Sequence, residues 1–128
     1  MTDTLERGRM RVAGFADVEM EYQLIRQLGA TRYGGASIGE CLELARRIQS
    51  GVPESWVTQF AADATRQQAD AERRAARGHA VSAHDGWLVA CNSWRAAEYY
   101  SAVSDPRHRE FGLASRACFL AAMRVGEF

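Results

Sequence analysis

The sequence predicts an all-α domain, a compact bundle of about five helices arranged as antiparallel pairs. Three observations carry that prediction. Apolar residues recur three and four apart in successive stretches, and no stretch alternates with period two for long enough to build a sheet. Helix punctuation falls between those stretches, at Gly29, Ser37, Gly51-Val52-Pro53 and Asp105-Pro106. The 128 residues, 47% hydrophobic with two prolines, suffice for one core and leave too little chain for two.

Residues 1–14 read as an N-terminal tail. In the first helix Phe15, Val18, Tyr22, Ile25 and Leu28 make one face, and Gly29 ends it. The second begins at Ser37, where Ser37 and Glu40 form an S-x-x-E capping box, and buries Ile38, Cys41, Ala45 and Ile48 before Gly51 closes it. Pro53 suits a first helical turn and opens a long third helix to about Arg77, with Trp56, Phe60, Ala64, Gln67, Ala71 and Ala75 facing inward. Its C-terminal half has only alanine to bury, so it must pack close against a neighbour or lie partly exposed. Asp63 with Arg66 and Asp70 with Arg74 mark its wet side, and Arg73, Arg74 and Arg77 suit the negative end of the helix dipole. Ser82 with Asp85 is a second capping pattern for the fourth helix. Asp105-Pro106 starts the fifth, which presents Phe111, Ala114, Cys118 and Ala121. The helical domain is thus expected over 15–123, with 124–128 a C-terminal tail.

Sixteen acidic residues cancel sixteen basic ones, and no same-sign run exceeds pairs such as Arg46-Arg47 and Arg73-Arg74. Nucleic acid and membrane are therefore not expected partners. Every basic residue is arginine, a composition that points to a high-GC bacterial genome. No apolar run approaches the roughly 18 residues of a membrane span, and no signal-type segment follows the N-terminus, so a cytoplasmic location is expected. Cys41, Cys91 and Cys118 lie far apart among helical apolar positions and read as free buried thiols. A nucleophilic Cys91 near His79 or His84 is the alternative.

Gly35-Ala36-Ser37-Ile38-Gly39 matches G-x-S-x-G, the nucleophile elbow, which requires a buried strand before it. Ala30-Thr31-Arg32-Tyr33-Gly34 supplies none, and the cap already explains Ser37. There is no H-E-x-x-H, C-x-x-C, G-x-G-x-x-G or phosphate-loop pattern, so neither metal nor cofactor is expected.

The most informative stretch runs from Gly78 to Tyr100, where a helix carries polar groups inside its apolar face. A buried Asn92 or Glu98 must be satisfied internally or presented to a ligand. Tyr33-Gly34-Gly35-Ala36-Ser37-Ile38-Gly39-Glu40, Glu54-Ser55-Trp56, Gly78-His79-Ala80-Val81-Ser82-Ala83 and Asn92-Ser93-Trp94-Arg95-Ala96-Ala97-Glu98-Tyr99-Tyr100 together resemble a known family. It is the N-terminal helical cap domain of bacterial and fungal α/β-hydrolases, a group that includes 2,6-dihydroxypseudooxynicotine hydrolase and fungal polyketide-shortening hydrolases. The resemblance implies a helical domain that covers an α/β core, walls one side of a substrate pocket and helps make a dimer. It places the serine, acid and histidine in a core that these 128 residues do not include, so hydrolysis by the family mechanism is not expected of them.

Departures from the family bear on the pocket. Family members tend to show Ser-Ala-Arg-Glu-Ala around His84-Asp85-Gly86, an arginine at Val89 and a Tyr-Tyr pair at Ser93-Trp94. The lost volume suggests a hollowed flank of the fourth helix, with Trp87 and Trp94 as walls for a hydrophobic or aromatic, polyketide-like ligand. Ligand contacts are expected from Trp87, Asn92, Trp94 and Tyr99. Glu98, His79, His84 and Asp85 are the candidates for acid/base work in a cyclisation, isomerisation or elimination. Each also has a plain structural explanation: core packing for the tryptophans, a pair with Arg95 for Glu98, capping for His79. Two further readings stand beside this one: the cap half of a complete or split hydrolase, partnered by its core, and a non-catalytic homodimerisation module.

Overall fold

The computed structural model describes Val12 and residues 14–126. Among these residues α1 (Val18–Gly29), α2 (Ile38–Arg46), α3 (Pro53–Ala76), α4 (Ala80–Tyr100) and α5 (Pro106–Val125) follow one another with no strand. Only residues 77–79 separate α3 from α4 and 101–105 separate α4 from α5, so each joint reverses the chain into an antiparallel pair. The central element is α4, flanked along its length by α3 and α5. Antiparallel to its C-terminal half lies α1, with Gln27 meeting Asn92 and Glu19 meeting Tyr99.

The caps explain where the helices begin. Asp17 accepts from the Met20 amide at 2.8 Å, and Asp105 accepts from the Arg107 amide at 2.9 Å ahead of Pro106. Three expected signals act differently. Ser37 stands at the N-cap of α2 in extended backbone but makes no side-chain cap bond, and the Glu40 carboxylate accepts from Gln67 Nε2 of α3 at 3.1 Å. The start of α4 comes at Ala80, before the Ser82–Asp85 pattern, because Gly78 turns the chain left-handed straight after α3. Gly29 is the last residue of α1, as expected, but not a left-handed cap: at φ −62° it leads into a 3-10 turn over Ala30–Tyr33, and the left-handed glycine is Gly34, φ +84°.

One core joins all five helices, built on Met20, Leu24, Cys41, Leu44, Trp56, Val57, Phe60, Ala97 and Phe111. Trp56 and Phe60 are 1% exposed with tilted rings whose centroids lie 4.7 Å apart, and burying such side chains contributes roughly 1.5–3 kcal/mol each. The expected face of α1 is corrected in part: Phe15 lies in the core and Leu28 packs against it, but the buried residues of the helix are Met20, Glu21, Gln23 and Leu24, and Val18 is exposed. Ile38, expected in the core, is 54% exposed. Asp63, expected on the wet side of α3, is buried beneath α4. Asp70 pairs with Arg73 rather than Arg74, whose Nη1 donates to Ser82 O at 3.3 Å. The helix α5 runs through Val125, past the expected boundary at 123, while most of 1–14 and residues 127–128 lie outside the described residues.

Candidate functional site

Asn92, Arg95, Ala96 and Tyr99 follow the i, i+3, i+4, i+7 spacing that puts them on one face of α4. Facing them from α1 are Gln23, Arg26 and Gln27, and Trp56 and Glu98 complete a cleft of about 180 Å³. The wall is held rigidly. Asn92 Nδ2 donates to Gln27 Oε1 at 2.7 Å and to Gly35 O at 2.9 Å, tying the loop before α2 to α4. Trp56 Nε1 donates to Ala96 O at 2.9 Å, which fixes the indole beneath the same face. Glu19 Oε1 accepts from Gln23 Nε2 at 2.7 Å and from the Tyr99 hydroxyl at 2.9 Å. Gln23 Oε1 in turn accepts from Arg26 Nη1 at 3.0 Å. Arg95 Nη1 lies 3.3 Å from Glu98 Oε1, and the other Glu98 oxygen fills the space that a Cβ on Gly112 of α5 would need.

This cleft brings together three of the eight residues singled out from sequence, Asn92, Glu98 and Tyr99. The others lie elsewhere. Trp94 stacks on Phe111 with centroids 5.7 Å apart and donates to Gln68 Oε1 at 3.0 Å, so it is a packing residue between α3 and α5. Trp87 is half-buried outside the cleft lining. His79 is the exposed N-cap residue of α4 and makes no side-chain cap bond. His84 Nδ1 sits 3.2 Å from Asp85 Oδ1, whose side chain is 71% exposed. His84 and Glu98 are fourteen positions apart on one helix, about 21 Å by helical rise, too far to share a substrate atom.

The hollowed flank is also corrected. A Cβ on Gly86 would sit 3.1 Å from Ala71 Cβ, because α3 has closed onto the missing volume. Ser93 is buried and donates to Asp63 Oδ2 at 2.8 Å, while Arg66 pairs with the other carboxylate oxygen. Ser37 is exposed beside no imidazole, and Cys91 Sγ contacts Ser115 Oγ at 3.3 Å rather than a histidine. Burial pushes the Cys41 thiol up to about 11, with Asp63 and Glu40 adding to it, and burial likewise takes Cys118 to about 11. No group of three or more His, Cys, Asp or Glu side chains that could hold a metal occurs among the described residues. Nor is any described helix long and apolar enough to cross a membrane.

Gln23, Arg26 and Gln27 were missed because periodicity was sought in apolar residues alone. The available signal was a polar one: 23, 26 and 27 share a helical face as 92, 95, 96 and 99 do.

No family model matches the chain. It is 39% identical over 95 residues to a 20-hydroxy-prefusarin hydrolase of Gibberella moniliformis, a match covering 73% of this chain and 23% of that protein. It is 35% identical over 107 residues to a hydrolase of a Fusarium species, covering 82% and 26%. To an alpha/beta hydrolase of Xenoacremonium sinensis it is 34% identical over 105 residues, covering 82% and 25%. The chain thus spans about a quarter of the length of these curated relatives. They overturn the bacterial origin expected from composition, since the named relatives are fungal. Arginine in place of lysine tracks the base composition of a genome, which does not separate the two kingdoms.

Proposed function

Because the chain belongs to the α/β-hydrolase family as its helical cap domain, we propose that it supplies a small-molecule-facing wall rather than a nucleophile. The α1–α4 cleft carries this reading. Its polar groups converge on a concave space, and convergent polar groups in a concavity are what fix a ligand's orientation. A cavity of 150 Å³ is known to hold benzene, so about 180 Å³ accommodates one ring of an aromatic or polyketide-like molecule, not a fused ring system. Glu98 is ion-paired with Arg95, the arrangement of a charge anchor, so the reading is binding and orientation rather than turnover. Chemical-shift mapping with a set of single-ring fragments tests it. Amides of Gln27, Asn92, Ala96 and Tyr99 should move together on titration, and shifts confined to other surfaces would remove the cleft from consideration.

A second observation favours association with a hydrolase core. Leu113, Phe119, Leu120 and Met123 are exposed along the outer side of α5, more apolar surface than a solvated helix face usually shows. The occupant proposed is an α/β core, since the relatives are about four times the length of the matched segment. Sedimentation should then give a monomer for the chain; a dimer dissociated by Leu120→Arg would assign the face to a second copy instead.

A further inference from the structure

We propose that the α1–α4 cleft takes its ligand by a carboxylate, gripped by Arg26 with Arg95 beside it, and that the ligand class is a monocyclic aromatic acid. This rests on the reading of the cleft as a small-molecule site.

The lining sets two guanidiniums against one carboxylate. Arg95 and Glu98 neutralise each other across 3.3 Å, which leaves the Arg26 charge. Arg26 spends one hydrogen on the neutral Gln23 amide at 3.0 Å and has no carboxylate partner among the described residues. A guanidinium carries five donors in a planar fork that matches a carboxylate edge, so this exposed cleft-lining side chain has donors left for a ligand. Its position is also fixed in advance. Glu19, outside the lining, takes the Gln23 amide hydrogen and so turns the Gln23 oxygen toward Arg26. Gln27 offers a further donor: its oxygen is occupied by Asn92, which leaves its amide hydrogens for a ligand. A cationic ligand would meet two guanidiniums and find its one counter-charge already paired. The roughly 180 Å³ of space, with the exposed Tyr99 ring among its lining residues, fits a single aromatic ring behind the carboxylate.

The test uses the full 128-residue chain, benzoate and the isosteric neutral benzamide, titrated at low ionic strength and read by amide chemical shifts. Benzoate should perturb Gln27, Asn92 and Ala96 with an affinity at least about tenfold tighter than benzamide, since charge-assisted hydrogen bonds are roughly twice as strong as neutral ones. Arg26→Gln should erase that preference, Arg26→Lys should keep part of it, and Glu98→Gln should tighten benzoate by removing a like charge. Benzamide matching benzoate at the same residues would overturn the charge assignment while leaving the cleft a ligand site. Neither probe reaching the cleft would overturn both readings. The benzoate-to-benzamide ratio is measured on the unaltered chain and so does not depend on any variant folding.

Discussion

The two halves of α4 both bury small residues and differ in what surrounds them. From Ala83 to Ala90 the buried positions are Ala83, Gly86 and Ala90, laid against Ala71 of α3 so closely that one methyl on Gly86 would press on it at 3.1 Å. From Asn92 to Tyr100 the buried positions are again small, Ser93, Ala96 and Ala97, but around them the helix carries an amide, hydroxyls, an indole and a carboxylate, most with a directed partner on α1, α3 or α5. Small residues let helices approach until no space remains; large amphipathic ones hold them apart and line what is left with polar atoms. Trimming side chains on a helix therefore does not open a pocket where the neighbouring helix can move in. The cleft lies in the half that carries the directed polar groups.

The C-terminal half breaks most readily at Trp56. Trp56→Ala removes the base of the cleft, the ring contact with Phe60 and the bond to Ala96 O, and should cost about 3–5 kcal/mol in urea unfolding. A loss under about 1 kcal/mol would mean that this half is not organised around the indole. The N-terminal half breaks by overfilling. Gly86→Leu keeps good helix propensity but forces α3 and α4 apart, and should cost about 1–3 kcal/mol. If it proves neutral, the close approach is not a constraint. A smaller loss, about 1 kcal/mol, is expected of Ser93→Ala, which strips one donor from buried Asp63 while Arg66 remains on the other oxygen. Equal stability of Ser93→Ala and the parent chain would show that Asp63 needs only its arginine.

The all-α architecture was legible because each helix announces its ends or its apolar face. Pro53, Asp105-Pro106 and the Trp56, Phe60, Ala64, Gln67, Ala71 stripe did so unambiguously. Faces set by polar residues were not legible. Glu21 is fully buried because the backbone amides of Val12 and Gly14 donate to it at 2.8 and 3.2 Å, a chain path that helical spacing does not encode. Asp63 looked like half of a surface pair with Arg66 and is one, but it also lies under Ser93, a residue thirty positions away. For the same reason half of the cleft was visible and half was not. Asn92, Glu98 and Tyr99 stood out as polar groups in an apolar helix, whereas Gln23, Arg26 and Gln27 look like an ordinary wet helix face until α4 is laid against them.

The mildest test concerns the clasp beyond the C-terminal half, where α3 and α5 begin. Arg107 donates to both Glu54 oxygens at 2.9 Å and to Asp105 Oδ2 at 2.7 Å, clasping the start of α5 to the start of α3. Hydrogen bonds from Arg107 hold Glu54 below its ordinary 4.5 and Asp105 below its ordinary 3.8. Carboxylates depressed in the folded state stabilise it fully above those ordinary values, and the contribution drains away as pH falls through the depressed ones. Because the groups are exposed, solvent screening keeps the effect small. Melting temperatures of the parent chain and of Arg107→Gln should therefore differ modestly at neutral pH and converge as pH drops below 3.8. Curves that stay parallel through that range would show that Arg107 acts by packing over Phe111, 6.0 Å from the ring centre, and not by charge.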